Sequence, residues 1–168
     1  MVLKCCKKRL RREAAWKGRQ KMTLTLSGKD IAAKLETKFP GSILESSETG
    51  LLVKSQTLAE LVSYLKTAPG FELDYLNHIT AVDYYDYFEL VYQLTSIKHN
   101  HSLVVKTRCH GRENLAVPSL VSLYQGADFQ EREINDLMGI RFEGHPNLKP
   151  IFLWEGFEGY PLRKDYLA

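Results

Sequence analysis

Leu73–Cys109 reads LDYLNHITAVDYYDYFELVYQLTSIKHNHSLVVKTRC, and this stretch decides the fold. Its apolar runs, Leu73 to Val82, Tyr87 to Ser96 and Leu103 to Cys109, are separated by turn signals near DYYD and KHNH, the pattern of a three-stranded meander. In the middle run Phe88, Leu90, Tyr92 and Leu94 alternate onto one face while Glu89 and Gln93 take the other. Such alternation predicts a sheet that packs on helices along one side. Tyr84, Tyr85, Tyr87, Phe88 and Tyr92 are interleaved with Asp83, Asp86 and Glu89. Those acids repel phosphates, so the aromatic cluster reads as core and turn rather than as a stacking platform for single-stranded nucleic acid.

Upstream, SGKDIAAKLETKFPG sets Ile31, Leu35 and Phe39 four apart, with Ser27 as a candidate N-cap, and predicts a helix stopped by Pro40-Gly41. Ile43-Leu44 and Leu51-Leu52-Val53, separated by SSETG, predict a hairpin. A second helix follows, with capping-box spacing at Thr57 and Glu60, an apolar face of Leu58, Leu61, Val62 and Leu65, and Pro69-Gly70 as its stop. The order α-β-β-α-β-β-β implies an α+β, two-layer domain with helices on one side of a largely antiparallel sheet.

The chain has 168 residues, 44% hydrophobic and 26% charged, enough for one domain with a real core. No apolar run approaches the ~18 to 20 residues that cross a bilayer as a helix. The net charge of +3 is uneven: residues 1–21 hold nine Lys/Arg and one Glu, leaving residues 22–168 at −5. The body therefore lacks the basic face that nucleic acid requires. The expectation for 1–21 is a basic extension, disordered or a start-site artefact with Met22 as the true start. Residues 22–126 are expected to form the α+β domain, and 127–168 a charged-helix motif with an extended partner-binding arm.

Cys5 and Cys6 are adjacent and Cys109 stands alone, with no CxxC spacing, which disfavours a zinc or iron–sulfur site and fits a reducing compartment. Cys109 also lacks the basic neighbour that would mark a nucleophile, and no phosphate loop or nucleophile elbow occurs. His99 and His101 fall in a turn sequence and read as solvated.

Downstream, Ser119 is placed to cap a short helix carrying Leu120, Leu123 and Tyr124. Then comes EREINDLMGIRFEGHP, Glu131 to Pro146. Asp128 as N-cap and Glu131 at the third helical position frame a helix with Ile134, Leu137 and Met138 on one face, an Arg132–Asp136 pair on the other, and Gly139 as a left-handed stop. Glu131 and Glu133 diverge by about 200° on a helix, so they cannot flank one scissile bond, and no ExxH spacing offers metal ligands. Beyond them Ile151, Phe152, Leu153, Trp154, Phe157, Tyr160 and Leu162, broken by Pro150, Gly156, Gly159 and Pro161, make an apolar arm expected to lie across a surface, its own or a partner's.

EREINDLMGIRFEGHPNLKPIF followed by GYPLRKDY resembles the signature of the thirty-kilodalton, or C-type, subunit family of proton-pumping NADH:quinone oxidoreductase, respiratory complex I. TAVDYYDYFELVYQL and VPSLVSLYQGADF resemble it too, so the likeness covers roughly Asp74 to Tyr166. Phe129 stands where the family commonly has Trp, Lys149-Pro150 replaces a commonly basic pair, and the chain stops soon after Asp165-Tyr166. The resemblance implies a cofactor-free subunit of the peripheral arm, packed against the quinone-site (D-type) subunit and the iron–sulfur subunits. The holoenzyme would use iron–sulfur clusters, quinone and NADH with FMN. This chain would reach the membrane only through other subunits, at the cytoplasmic face or its matrix or stromal equivalent, and would take neither nucleic acid nor a small-molecule substrate. Glu131, Arg132, Glu133, Asp136, Gly139, Gly144, His145, Pro146, Pro161, Leu162, Arg163, Lys164 and Asp165 become the expected partner-contacting or motif-stabilising residues. An equivalent subunit of a membrane-bound hydrogenase or of a ferredoxin- or coenzyme-fed complex remains the alternative, beside a self-sufficient enzyme and a free-standing binding module.

Overall fold

A computed structural model describes residues 22–166. The expectation for residues 1–21 lies outside them. The elements run β1 (Leu24–Thr25), α1 (Gly28–Glu36), β2 (Ile43–Ser47), β3 (Gly50–Val53), α2 (Leu58–Thr67), β4 (Tyr75–Asp83), β5 (Tyr87–Ser96), β6 (His101–His110), β7 (Ala116–Pro118), α3 (Ala127–Met138) and β8 (Arg141–Glu143). The α+β reading holds, and the three long strands are the meander expected.

Strand β6 is the centre of the sheet, whose order is β2-β3-β6-β5-β4 with β1 also pairing β6. β5 pairs antiparallel with both β4 and β6, whereas β3 and β1 join β6 in parallel, Leu51 opposite Val105 and Leu24 opposite His101. Alternation along β5 sends Phe88, Leu90, Tyr92 and Leu94 inward, all fully buried, beside Leu103 and Val105 of β6. Ile31 and Leu35 of α1 and Leu58, Leu61, Val62 and Leu65 of α2 close the same core. Burying one such side chain contributes about 1.5–3 kcal/mol. Gly28 is required where α1 meets the β2–β3 hairpin, because a Cβ there would stand 2.2 Å from the Gly50 carbonyl oxygen.

Local details depart from the sequence reading. α1 ends at Glu36, not at Pro40, and the Lys38 and Phe39 amides close the turn on the Leu35 carbonyl at 2.9 and 2.7 Å. The Thr57 hydroxyl donates to the Lys54 carbonyl at 3.2 Å instead of forming a capping box, because a 3-10 turn over Ser55–Thr57 precedes α2. Ser119–Tyr124 forms a turn rather than a helix, closed by the Leu123 and Tyr124 amides on the Leu120 carbonyl. His101 is not solvated: it opens β6, is buried, and its Nε2 bonds the Phe71 carbonyl at 2.8 Å with His99 stacked 5.4 Å away.

A small second sheet, β7 paired parallel with β8, ties the segment before α3 to the segment after it. Val117, Ile134, Ile140 and Phe142 join the same core as the large sheet, so the hydrophobic interior runs on past residue 126. On the sheet face opposite Phe88 and Leu90, Glu89 is buried under Lys106 and Arg108, which donate to it at 2.9 and 3.0 Å. Burial works against ionising Glu89, but those two hydrogen bonds together hold its pKa below the ordinary value.

Candidate partner-docking site

Helix α3 starts one residue before Asp128, with Gly126 as its N-cap, so Asp128 lies in the first turn and does not cap it. Glu131 is fully buried. Its carboxylate accepts the Ser119 hydroxyl at 2.6 Å and the Leu120 amide at 2.7 Å, serving the loop before the helix rather than the helix itself. Burial pushes its pKa up, against the lowering effect of those two bonds. Gly139 ends α3 at φ 69°, with its amide on the Asn135 carbonyl at 2.9 Å. A side chain there would also strike the Tyr160 ring, 2.5 Å from an ideal Cβ, so glycine is needed twice over.

Asp136 does not pair with Arg132. Its Oδ2 accepts three consecutive amides, Ile151 at 3.0 Å, Phe152 at 2.8 Å and Leu153 at 3.0 Å. Burial opposes its charge, yet the three amides win and its pKa is lowered. Arg132 instead donates from Nε to the Lys149 carbonyl at 2.9 Å, so helix and arm are stitched at both charges. His145 accepts the Asn147 amide on Nδ1 at 3.0 Å, leaving Nε2 to donate to the Asp128 carbonyl at 3.3 Å. Gly144, left-handed at φ 83°, and Pro146 shape the turn around it.

The arm is not extended. It bends back over its own chain, beginning with the Leu162 amide on the Leu137 carbonyl at 3.1 Å, just after Pro161. Arg163 reads carbonyls from two segments: Nε to Met138 at 2.6 Å and Nη1 to Arg112 at 2.8 Å, with Gly139 at 3.5 Å. Arg112 grips Asp83 with both Nη atoms at 2.6 and 2.9 Å and also pairs Asp165 through Nε at 3.0 Å. The Lys164 amide completes the Asp83 carboxylate at 3.0 Å. The Arg112 hydrogen bonds hold the Asp83 carboxyl well below the usual carboxylate range. Both Arg112 and Arg163 lie over the Phe88 ring, at 4.6 and 5.3 Å from its centroid, which joins the network to the core.

The structure thus gathers Glu131, Asp136, Gly139 and Arg163 into internal struts, with the exposed Asp165 pairing Arg112 at their edge, while Glu133 and Lys164 are exposed. Sequence reasoning gave Asp83 and Ser119 other roles and passed over Arg112. Their partners lie 12 to 81 residues away, so no local spacing signals them. What the struts hold up is apolar: Trp154 is 71% exposed, Phe129 66%, Phe152 61% and Leu162 54%. Exposed large side chains on α3 and the arm, above a charge-locked base, suit a protein interface. Among the described residues, no group of three or more His, Cys, Asp or Glu side chains is arranged to hold a metal. Burial pushes the Cys109 thiol up to about 11, away from a nucleophile's range.

The profile of the respiratory-chain NADH dehydrogenase 30 Kd subunit family matches residues 51–168, which include most of the sheet, α3 and the arm. The chain belongs to that 30 Kd subunit family. The second C-type NADH-quinone oxidoreductase subunit of Rhizobium meliloti is 42% identical over 117 residues, 68% of this chain and 63% of the relative. The C-type subunit of Dinoroseobacter shibae NADH-quinone oxidoreductase is 36% identical over 86% of this chain and 69% of the relative. The chain therefore spans just under two thirds of the first of these relatives. Among solved structures, a chain of an archaeal membrane-bound sulfane sulfur reductase matches with TM-score 0.65 and 26% identity, covering 83% of this chain and 85% of that one. A trypsin-resistant fragment of Nqo5 matches with TM-score 0.53 and 27% identity, covering 71% and 98%. The 30 Kd family resemblance read from EREINDLMGIRFEGHP is thereby borne out.

Proposed function

We propose that this family member is a cofactor-free peripheral-arm subunit of a proton-translocating NADH:quinone oxidoreductase. It supports assembly and electron transfer from donor to quinone by packing against the quinone-site subunit and the iron–sulfur subunits, with the chemistry carried by those chains. The observation that carries this reading is the arm: hydrogen bonds within the chain to Asp136, Arg132 and Arg163 brace it, and its large side chains Phe152, Trp154 and Leu162 are exposed. Arg132, Glu133, Pro146, Leu162 and Lys164 are the residues proposed to meet a partner there, and His145, whose side chain is buried, to shape the turn beside it. Among the described residues no helix is long and apolar enough to cross a membrane, which fits attachment through other subunits at the cytoplasmic face or its matrix or stromal equivalent.

A second reading has one specific support, the likeness to a chain of a sulfane sulfur reductase that is also a respiratory membrane complex. On it, the same surface serves a related hydrogenase-like or ferredoxin-fed assembly with another donor or acceptor. Proteins that copurify with the chain separate the two, because a nickel-bearing large subunit would exclude the quinone reading.

The direct test is the Phe152→Ala, Trp154→Ala double variant, followed by native electrophoresis of solubilised membranes. Both positions are exposed, so the variant should melt like the parent while its incorporation into a large complex falls at least tenfold. Undiminished incorporation would defeat the arm as the docking surface.

A further inference from the structure

Strand β4 is an edge of the main sheet, and α3 runs beside it. Between them lies a cleft of about 370 Å³ whose floor is Ile79, Ala81, Ile134 and Leu137 and whose rim includes His78 and Glu133. The Ile79 amide points away from β5 and donates to the Gln130 side-chain oxygen. Gln130 is itself anchored by its amide nitrogen on the Gly126 carbonyl at 2.9 Å. A side-chain amide thus takes the place that a neighbouring strand's carbonyl would fill. No register shift falls between Ile79 and Ala81, so by two-residue alternation the Ala81 amide and carbonyl face the same cleft. Among the described residues no hydrogen bond from outside the sheet reaches that pair, although Ala81 itself is largely buried.

We propose that this cleft receives a short extended segment of another subunit, added to β4 as a strand over Ile79–Ala81 and carrying a Lys or Arg opposite Glu133. A row of backbone donors and acceptors at strand spacing is matched by another backbone rather than by a small molecule. Three residues of strand span about 10 Å, within reach of both rim residues. Charge selects the partner: among the described residues Glu133 and His78 have no hydrogen-bond or ion-pair partner, and residues 22–168 carry a net −5. Glu133 calls for a cation and Leu162 joins the cleft to the docking surface, so a cationic segment of a different chain is the complement. A crosslink to the basic residues 1–21 of this chain is an outcome that overturns that assignment. Leu162 of the arm forms part of the wall, which makes the cleft continuous with the proposed docking surface.

This inference rests on the subunit reading, and the experiment distinguishes the two. Benzoylphenylalanine is placed at Thr80 in the full chain, expressed in its host membranes and irradiated in the assembled complex, and hydrogen exchange over His78–Val82 is compared between complex and free chain. The crosslink should fall on an extended, Lys- or Arg-bearing stretch of another subunit, and exchange should slow at least tenfold on assembly. Glu133→Lys should cut the crosslink yield per copy in the assembled complex at least tenfold. A crosslink to a second copy, or incorporation with unchanged exchange, overturns the strand proposal alone. A chain recovered only as a free monomer overturns the subunit reading as well.

Discussion

Leu90 and Arg163 mark two regions built on different physics. Around Leu90, the helices and β5 exclude water with apolar side chains whose contacts are numerous and directionless, so no single neighbour is indispensable. Around Arg163, a few directed hydrogen bonds join the end of α3, the loop at Arg112 and the last residues of the arm. The first region fails gradually in strength but all at once in space, whereas the second can be undone one bond at a time. The contrast teaches that the fold and the docking surface are separable in stability although they share Phe88.

The largest effect belongs to the core. Leu90→Ala should cost about 2–5 kcal/mol and lower the denaturation midpoint of strands and arm together. If limited proteolysis of that variant freed the arm while the sheet kept its stability, the two regions would be less coupled through Phe88 than the ring geometry implies.

Arg112→Ala comes next. It leaves Asp83 buried without its cation and should cost about 2–3 kcal/mol, below the ~3–5 kcal/mol of a fully buried broken pair because Arg112 is partly exposed. Proteolysis should then cut between Ile151 and Tyr166 while the strand signal in circular dichroism persists. Arg112→Lys should restore little, since one ammonium cannot serve both Asp83 oxygens and Asp165 as the guanidinium does. Simultaneous loss of strands and arm would erase the distinction.

The smallest effect is the pH response, whose sign differs between buried acids. Asp83 and Asp136 have folded pKa values below their ordinary 3.8, so their stabilisation is fully present above that pH and is lost as pH falls through the folded values. Glu131 is shifted the other way. Its folded pKa lies above the ordinary 4.5, so its contribution is most favourable below 4.5 and declines as pH rises through the folded value. Stability of Glu131→Gln, measured against pH, should lack that decline but keep the acid-side loss. An unchanged slope above pH 4.5 would remove Glu131 as its source.

The same contrast explains what was legible in the sequence. Period-two alternation from Phe88 to Leu94 and the four-residue spacing of Ile31 and Leu35 are local consequences of how apolar side chains meet a core, so sheet and helices could be read from neighbours alone. Gly139 was legible for a similar reason, since a left-handed stop has a residue signature. Glu131 was not, because a glutamate on a helix is ordinarily solvated and its burial depends on Ser119 and Leu120 arriving from another segment. Asp136 and Arg132 had an acceptable local pairing at four residues, and the arm's carbonyls and amides displaced it. The parallel pairing of β3 with β6, and the short β7–β8 sheet with Pro118 at its end, likewise depend on partners that adjacent residues do not announce.

Arg163 has a consequence for biogenesis. Its guanidinium can close only when the Met138 and Arg112 carbonyls already stand side by side, and these belong to segments 26 residues apart in the chain. A nascent or misfolded copy cannot present the arm in its closed shape, whatever its sequence. The clamp therefore works as an interlock, letting the surface offered to other chains act as a certificate that the interior has finished folding.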